Sequence, residues 1–238
     1  MRALVEAADL ALSIVPPAAA RDVAQNVAVA VADAGKRLHF ADCNAVSPAS
    51  AAQIAETLTA VGAVFTDCGI VGPAPRPGGA ATRFYVSGAE AGALAQIEGS
   101  GVTVRQLGPE IGRASALKMV YAGINKGALG LYAAALIAAE RLGLTAEVLK
   151  ELGESQKGTL ERIQGTLPWL ATDAERWIRE MEEIAATFAS VGVTPHYHEG
   201  ARDLYRHLAA GPLSIETREN ADRTRTLQQA LKIFAQEA

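Results

Sequence analysis

Gly112-Arg-Ala-Ser-Ala-Leu-Lys118-Met-Val-Tyr-Ala-Gly-Ile-Asn125-Lys126-Gly127 is the stretch on which the fold of this chain turns. It opens an apolar run that continues to about Leu142 without a proline or a loop-like cluster. A run of that length, rich in Ala and Leu, predicts one helix of about 50 Å. Apolar residues fall on every side of it, so the pattern predicts a buried helix rather than a surface one. Lys118 lies inside this run between small residues, and a lysine goes inside only where something negative or polar meets it. Two readings follow. Either its stem covers apolar surface while the ammonium reaches water, or it is an active-site lysine facing an anionic substrate.

On the N-terminal side of this stretch, short apolar runs alternate with helical stretches. Asp9–Val15 reads as a strand stopped by Pro16-Pro17, and Ala18–Ala34 reads as a helix ended by Gly35. Leu38–Cys43 is a second strand. Ser47 then has the chemistry of an N-cap with Pro48 at the first helical position, for a helix to about Ala60. Ala63–Ile70 is a third strand, and this spacing of strands and helices predicts βαβ units and a parallel sheet. The proline- and glycine-rich Val71–Gly79 is a loop. Thr82–Ser87 and Val102–Leu107 are further strands, with the helical Ala89–Gly99 between them. From Pro109 on, only helices are expected: the long one, then Ala146–Leu152, Thr159–Leu167, Asp173–Val191, Gly200–Ala209 and Glu216–Gln236. The predicted class is α/β, a partial Rossmann-like parallel sheet, mixed at its edge, over residues 1–108. An all-α domain around the long central helix covers 109–238.

The 238 residues carry 22 basic and 26 acidic side chains, a net charge of −4, so an electrostatic role with nucleic acid has no support. Half the residues are hydrophobic, as in an ordinary globular protein. The long apolar run holds Asn125, Lys126 and Glu140, which reads as a buried helix and predicts no membrane partner. Cys43 and Cys68, without a CxxC, fit structural burial and a reducing, cytoplasmic setting.

Open α/β sheets bind ligands beyond the carboxyl ends of their strands. Three loops stand at such ends here: Val15-Pro16-Pro17, Asn44-Ala-Val-Ser-Pro48 and Ile70-Val-Gly72-Pro73. With the segments Asp42-Cys-Asn-Ala-Val-Ser-Pro48, Asp67-Cys-Gly-Ile-Val-Gly-Pro73 and Gly112-Arg-Ala-Ser-Ala-Leu-Lys118, in that order, the chain resembles the β-hydroxyacid dehydrogenase superfamily. That superfamily includes the 6-phosphogluconate and 3-hydroxyisobutyrate dehydrogenases. The helical half, with Glu180-Met-Glu-Glu-Ile-Ala-Ala-Thr-Phe and Val191-Gly-Val-Thr-Pro195, is similar to the C-terminal domain of 6-phosphogluconate-dehydrogenase-like members.

The resemblance implies an NAD(P)-dependent oxidoreductase acting on the hydroxyl carbon of a small hydroxy acid. Lys118 would be the catalytic acid/base, since burial lowers a lysine pKa towards the range such a shuttle needs. Asn44 would stand at the family's substrate-binding serine position, with Gly72 and Pro73 in the substrate loop. Val15, Pro16, Pro17 and Asn44 would flank the nucleotide. The family's asparagine one turn after the lysine is Ala122 here, so Asn125 and Tyr121 are expected to take its place. The resemblance also implies a homodimer through the helical domain, and Gly123, Gly127 and Gly130 would permit close helix packing within a subunit or between two.

The chain contains no G-x-G-x-x-G; Gly99-Ser-Gly101 does not complete one. Relative to the family, two βα units, about 60 residues, are expected in front of Val15, which would make Met1 an internal or mis-assigned start. A non-catalytic ligand-binding or dimerisation module, lacking the pyrophosphate loop, is therefore a second hypothesis of a different class, and a complete enzyme with an unusual cofactor mode a third. His196, His198 and His207 match no metal-binding spacing and read as loop histidines, so no metal site is expected. Arg76 and Arg83 near the Val71–Gly79 loop suit either a carboxylate or phosphate contact or a strand edge.

Overall fold

The computed structural model describes residues 1–76, 78–99 and 101–236. Pro77 in the expected loop, Ser100 in Gly99-Ser-Gly101 and the last two residues lie outside them. Helix α1 (Arg2–Ala7) leads into β1 (Leu10–Ser13), α2 (Ala20–Ala34), β2 (His39–Asp42), α3 (Pro48–Thr59) and β3 (Val64–Val71). Then come β4 (Thr82–Ser87), a short 3₁₀ segment Ala91–Ile97 and β5 (Val102–Gln106).

All five expected strands form one sheet in the order β1-β2-β3-β4-β5. The β1–β2 and β2–β3 pairs are parallel, β4 runs antiparallel to β3, and β5 is parallel to β4. The sheet is thus the mixed-edge one that the sequence pattern suggested. Strand alternation sends Phe40 and Phe65, which pair in register, into a cluster with Val27, Val31, Ile54 and Leu58 of α2 and α3. Ala41, Cys43 and Cys68 go into a separate cluster with Phe84, Val86 and Leu94. Helix α2 ends at Gly35 in the left-handed conformation, φ 61°. Helix α3 starts as expected, with the Ser47 hydroxyl accepting from the Ser50 N–H and Pro48 at its first position.

The long run forms α4 (Arg113–Ala122), a π-helical stretch (Gly123–Gly127) and α5 (Ala128–Arg141). By length and composition alone Arg113–Arg141 is apolar enough to cross a membrane, yet Met119, Leu129, Ala133 and Leu136 pack into the fold. Full burial was expected and does not hold: Val120, Tyr121, Ile124 and Leu131 are exposed, the last two by 63% and 61%. Composition rich in Ala and Leu does not by itself fix which stripe is covered. The π stretch has no sequence signature of the kind read above.

The remaining helices are α6 (Thr145–Ser155), α7 (Lys157–Thr166), α8 (Ala171–Ser190), α9 (His196–Ala210) and α10 (Leu227–Phe234). The expected helix Glu216–Gln236 is therefore corrected to Leu227–Phe234. Residues 216–226 are rich in Thr, Asn and Asp, whose side chains bond nearby backbone instead: Asn220 Oδ1 accepts from the Thr217 N–H at 2.6 Å and Asp222 Oδ1 from the Thr224 N–H at 2.9 Å. Thr226 and Gln229 then form a reciprocal capping box that begins α10. His196, His198 and His207 lie on α9, not in a loop.

Two compact units result. The first is Met1–Tyr121 with Ala186–Gly192; the second is Ala122–Ala185 with Val193–Ala238. The first unit thus runs past residue 108 and includes α4, whose first turn is bonded to β3 as described next. In the second unit α5 and α9 approach closely: a Cβ on Gly130 would stand 2.9 Å from the Ala201 Cβ, and one on Gly127 would stand 3.4 Å from the His198 ring. Of the three small residues expected to permit close packing, Gly127 and Gly130 do so within the subunit.

Candidate functional site

Asp67, on β3 and fully buried, organises the site. Its Oδ2 accepts from the N–H groups of Gly112 and Ser115, each at 3.0 Å, and from the Ser87 hydroxyl, also at 3.0 Å. Its Oδ1 accepts from the Ser115 hydroxyl at 2.6 Å, and the Ser87 oxygen accepts from the Ala114 N–H at 3.1 Å. The unpaired donors at the start of α4 are thus met by a strand carboxylate, whose charge suits a helix N-terminus. Two residues on, Gly69 lets the helix lie against β3: a Cβ there would stand 2.7 Å from the Ala114 carbonyl oxygen and 3.0 Å from the Lys118 Cβ. Asp67, Gly69 and Ser115 lie within two of the motifs that carry the resemblance, Asp67–Pro73 and Gly112–Lys118, where the sequence gives none of them a role of its own; Ser87 reads there only as the end of a strand.

Anchored in this way, α4 holds Lys118 half-buried with its Nζ donating to the Cys43 carbonyl at 3.3 Å, just beyond the end of β2. Burial lowers the Lys118 pKa below its ordinary value, while the Cys43 and Cys68 thiols and the Asp42 and Asp67 carboxyls pull the other way. Among the described residues Lys118 forms no ion pair. Asp42 and Asp67 are register partners on neighbouring strands. Burial pushes the Asp42 pKa up to about 6, assisted by the charge of Asp67 and opposed by hydrogen bonds from Asn44. One Asp42 oxygen, Oδ2, is buried without a hydrogen-bond partner among the described residues.

Asn44 is a brace. Its amide nitrogen donates to Asp42 Oδ1 and to the Ser13 hydroxyl (3.0 Å), and its amide oxygen accepts from the Val15 N–H at 2.7 Å. Both amide hydrogens are committed, and the residue ties the end of β1 to the end of β2. Val15, Asn44, Asp42, Cys43 and Lys118 thus come together at the carboxyl ends of the parallel strands.

Gly72 has φ +117°, and a Cβ on it would meet the Ala81 carbonyl oxygen at 3.3 Å, so the backbone turn itself asks for glycine. The Pro73 carbonyl accepts from the Thr82 hydroxyl at 2.5 Å. Pro16 and Tyr121 are exposed, and Pro17 opens a short 3₁₀ turn. Asn125 lies in the π stretch, where the extra residue per turn breaks the seven-residue return to the face of Lys118; its Oδ1 and carbonyl accept from Arg162 at 3.1 and 3.2 Å. Among the described residues no group of three His, Cys, Asp or Glu is placed to hold a metal.

The family described as a domain of unknown function, DUF1932, matches residues 139–208. An uncharacterised 28.5 kDa protein encoded in the 7S RNA 5′ region of Methanothermus fervidus is 26% identical over 208 residues, 86% of this chain and 78% of that protein. A conserved hypothetical protein from Sinorhizobium meliloti is 25% identical, with a TM-score of 0.70 over 98% of this chain and 76% of its own. A conserved protein of unknown function, described as structurally similar to 3-hydroxyacid dehydrogenases, is 28% identical, with a TM-score of 0.60 over 83% of this chain and 74% of its own. The Mycobacterium tuberculosis 3-hydroxyisobutyrate dehydrogenase, 17% identical, shares the fold with a TM-score of 0.64 over 97% of this chain and 81% of its own. The sheet, the long helix and these likenesses agree with the resemblance carried by the sequence motifs, and the chain has the fold of the 3-hydroxyacid dehydrogenase-like proteins.

Proposed function

We propose that the protein is an NAD(P)-dependent oxidoreductase that acts on the hydroxyl-bearing carbon of a small hydroxy acid, with Lys118 as the proton shuttle. The observation that carries this reading is the setting of the Lys118 amine. It is half-buried at strand carboxyl ends, bonded to a backbone carbonyl, and its pKa is lowered by burial. An amine bound to a carboxylate is held charged; one bound to a carbonyl, with its pKa lowered by burial, gives up its proton more readily. In the oxidation direction Lys118 takes the proton of the substrate hydroxyl as the carbon loses hydride, and in reduction it returns it. Nicotinamide, when bound, supplies the hydride acceptor or donor.

The chain's own residues fit such a group in part. Val15, Pro16 and Pro17 stand at the end of β1, where a wound sheet takes its ligand, and Asn44 fixes Val15 there. The unmet Asp42 Oδ2 is a buried acceptor beside them. A G-x-G-x-x-G turn for the pyrophosphate is not in this sequence. Asn44 acts by positioning, and Tyr121, three residues after Lys118 and exposed, is the proposed substrate contact. A cytoplasmic homodimer through the second unit belongs to the same proposal, supported by the exposed Ile124 and Leu131 on its helix.

Titration with NADH and NADPH, read by nicotinamide fluorescence, tests it. Micromolar binding is expected. With a panel of small 2- and 3-hydroxy acids, Lys118→Ala should lower turnover by about 10²- to 10⁴-fold and leave cofactor affinity unchanged. A folded protein that binds neither nucleotide at millimolar concentration refutes the reading.

A further inference from the structure

The second unit holds a concavity of about 210 Å³ whose walls include Thr166, Trp169, Asp173, Trp177, Arg218 and Arg223. Its rim is the segment 216–226, the one that departs from the expected helix. Considerable bonding holds that segment in place. Arg225, buried, donates to the Pro168 carbonyl and to Glu216, each at 3.0 Å. The Trp169 indole N–H donates to the Asp222 carbonyl at 3.1 Å. Arg218 clasps Asp173 through Nε at 3.1 Å and through Nη2 at 2.7 and 2.8 Å. The Arg223 guanidinium stands 5.5 Å over the Trp169 ring and donates to the Arg218 carbonyl at 2.5 Å.

We propose that this concavity binds a small planar organic anion, a ring carrying a carboxylate or a phosphate. The walls supply two indoles and two guanidinium groups, the pairing that suits flat anions: aromatic faces take a ring, and the arginine fork takes two oxygens at once. Asp173 is the acidic residue in the walls, and it is already matched by Arg218 and by Arg176, whose Nη2 donates to it at 2.8 Å. Asp222, on the rim, gives its Oδ1 to Thr224 at 2.6 and 2.9 Å. Arg223 spends one of five N–H donors on protein and keeps others for a ligand. Trp177 is buried in the same wall, and its indole N–H has no hydrogen-bond partner among the described residues. The volume lies below that of drug-sized sites, so the ligand is of benzoate size.

Trp169 and Trp177, the two tryptophans of the chain, both line this concavity, so intrinsic indole emission reports on it. The full chain is titrated with benzoate and with phenyl phosphate, and in parallel with benzyl alcohol and inorganic phosphate. A saturable change in emission is expected for one or both ring-bearing anions, with a dissociation constant below about 10 mM. Whichever of the two binds more tightly identifies the anionic group. Arg223→Gln, at an exposed position, should weaken that binding about tenfold or more in a variant that is still folded at the temperature of the titration. Lys118→Ala should bind as the parent does, which separates this site from the proposed oxidoreductase site. The inference is overturned by any of three results. These are no saturable response to either ring-bearing anion, equal affinity for benzyl alcohol or inorganic phosphate, or unchanged affinity in Arg223→Gln.

Discussion

Lys118 and Lys126 lie eight residues apart on one long helical run, and the fold treats them oppositely. In the first unit the Lys118 amine meets a backbone carbonyl at 3.3 Å, and burial lowers its pKa. In the second unit Lys126 is paired with Glu180, whose side chain is 5% exposed, and its Nζ stands 5.1 Å over the Trp177 ring. Glu180 also accepts from Arg176 at 3.1 Å, so that charge cluster is closed on itself. The difference shows what makes a buried lysine structural or chemical. A carboxylate in contact fixes the proton on the amine; a carbonyl in contact, with carboxylates near but not touching, leaves it exchangeable.

The comparison breaks most severely at Asp67. Asp67→Ala strands the Gly112 and Ser115 N–H groups and two hydroxyls in a fully buried place. A loss of about 4 kcal/mol in unfolding free energy is expected from denaturant titration, with Asp67→Asn recovering part of it. A loss under about 1 kcal/mol would mean that this carboxylate does not set the position of α4, and with it of Lys118.

In the second unit the vulnerable element is the ion pair. Glu180→Ala leaves Lys126 without its carboxylate and should cost about 3 kcal/mol. Replacing both partners by apolar residues, Lys126→Met with Glu180→Leu, should return stability to within about 1 kcal/mol of the parent. A double variant as unstable as the single one would show that Lys126 does more than neutralise Glu180.

How much of this the sequence discloses depends on how far apart the partners lie. The five strands and the Ser47-Pro48 helix start rest on local patterns, and they are present in the structure. The Asp67 anchor joins residues 45 and 48 positions apart, so no spacing rule reveals it. Asn44 was assigned to substrate by likeness to a family serine, whereas its amide is taken up by Ser13, Asp42 and Val15. The Asn125 assignment rested on a regular α-helix, and the π turn at Gly123–Gly127 removes that premise. The late start of α10 is legible in the sequence, since Thr226 and Gln229 have capping-box spacing and residues 216–226 hold a single apolar residue, Ala221.

The finest test of the comparison is the effect of Lys118→Met on stability as a function of pH. Methionine keeps the length of the side chain and discards the charge. The folded-state pKa of Lys118 lies below its unfolded value of 10.5. Below the folded value both states are protonated, and the fold carries the full cost of the buried ammonium. Between the two values the unfolded chain holds the proton and the folded chain does not, so stability rises with pH; above 10.5 the contribution vanishes. Asp42, whose pKa is about 6, falls outside this window: it lowers stability as pH rises from 3.8 to about 6 and adds no slope above that. Lys118→Met should therefore melt at a higher temperature than the parent at pH 7, and the gap should close as pH approaches 10.5. A variant that melts lower at pH 7 would mean the ammonium is held there by net attraction. Lys118 would then be a second structural lysine of the Lys126 kind, and its role as a proton shuttle would have to be abandoned.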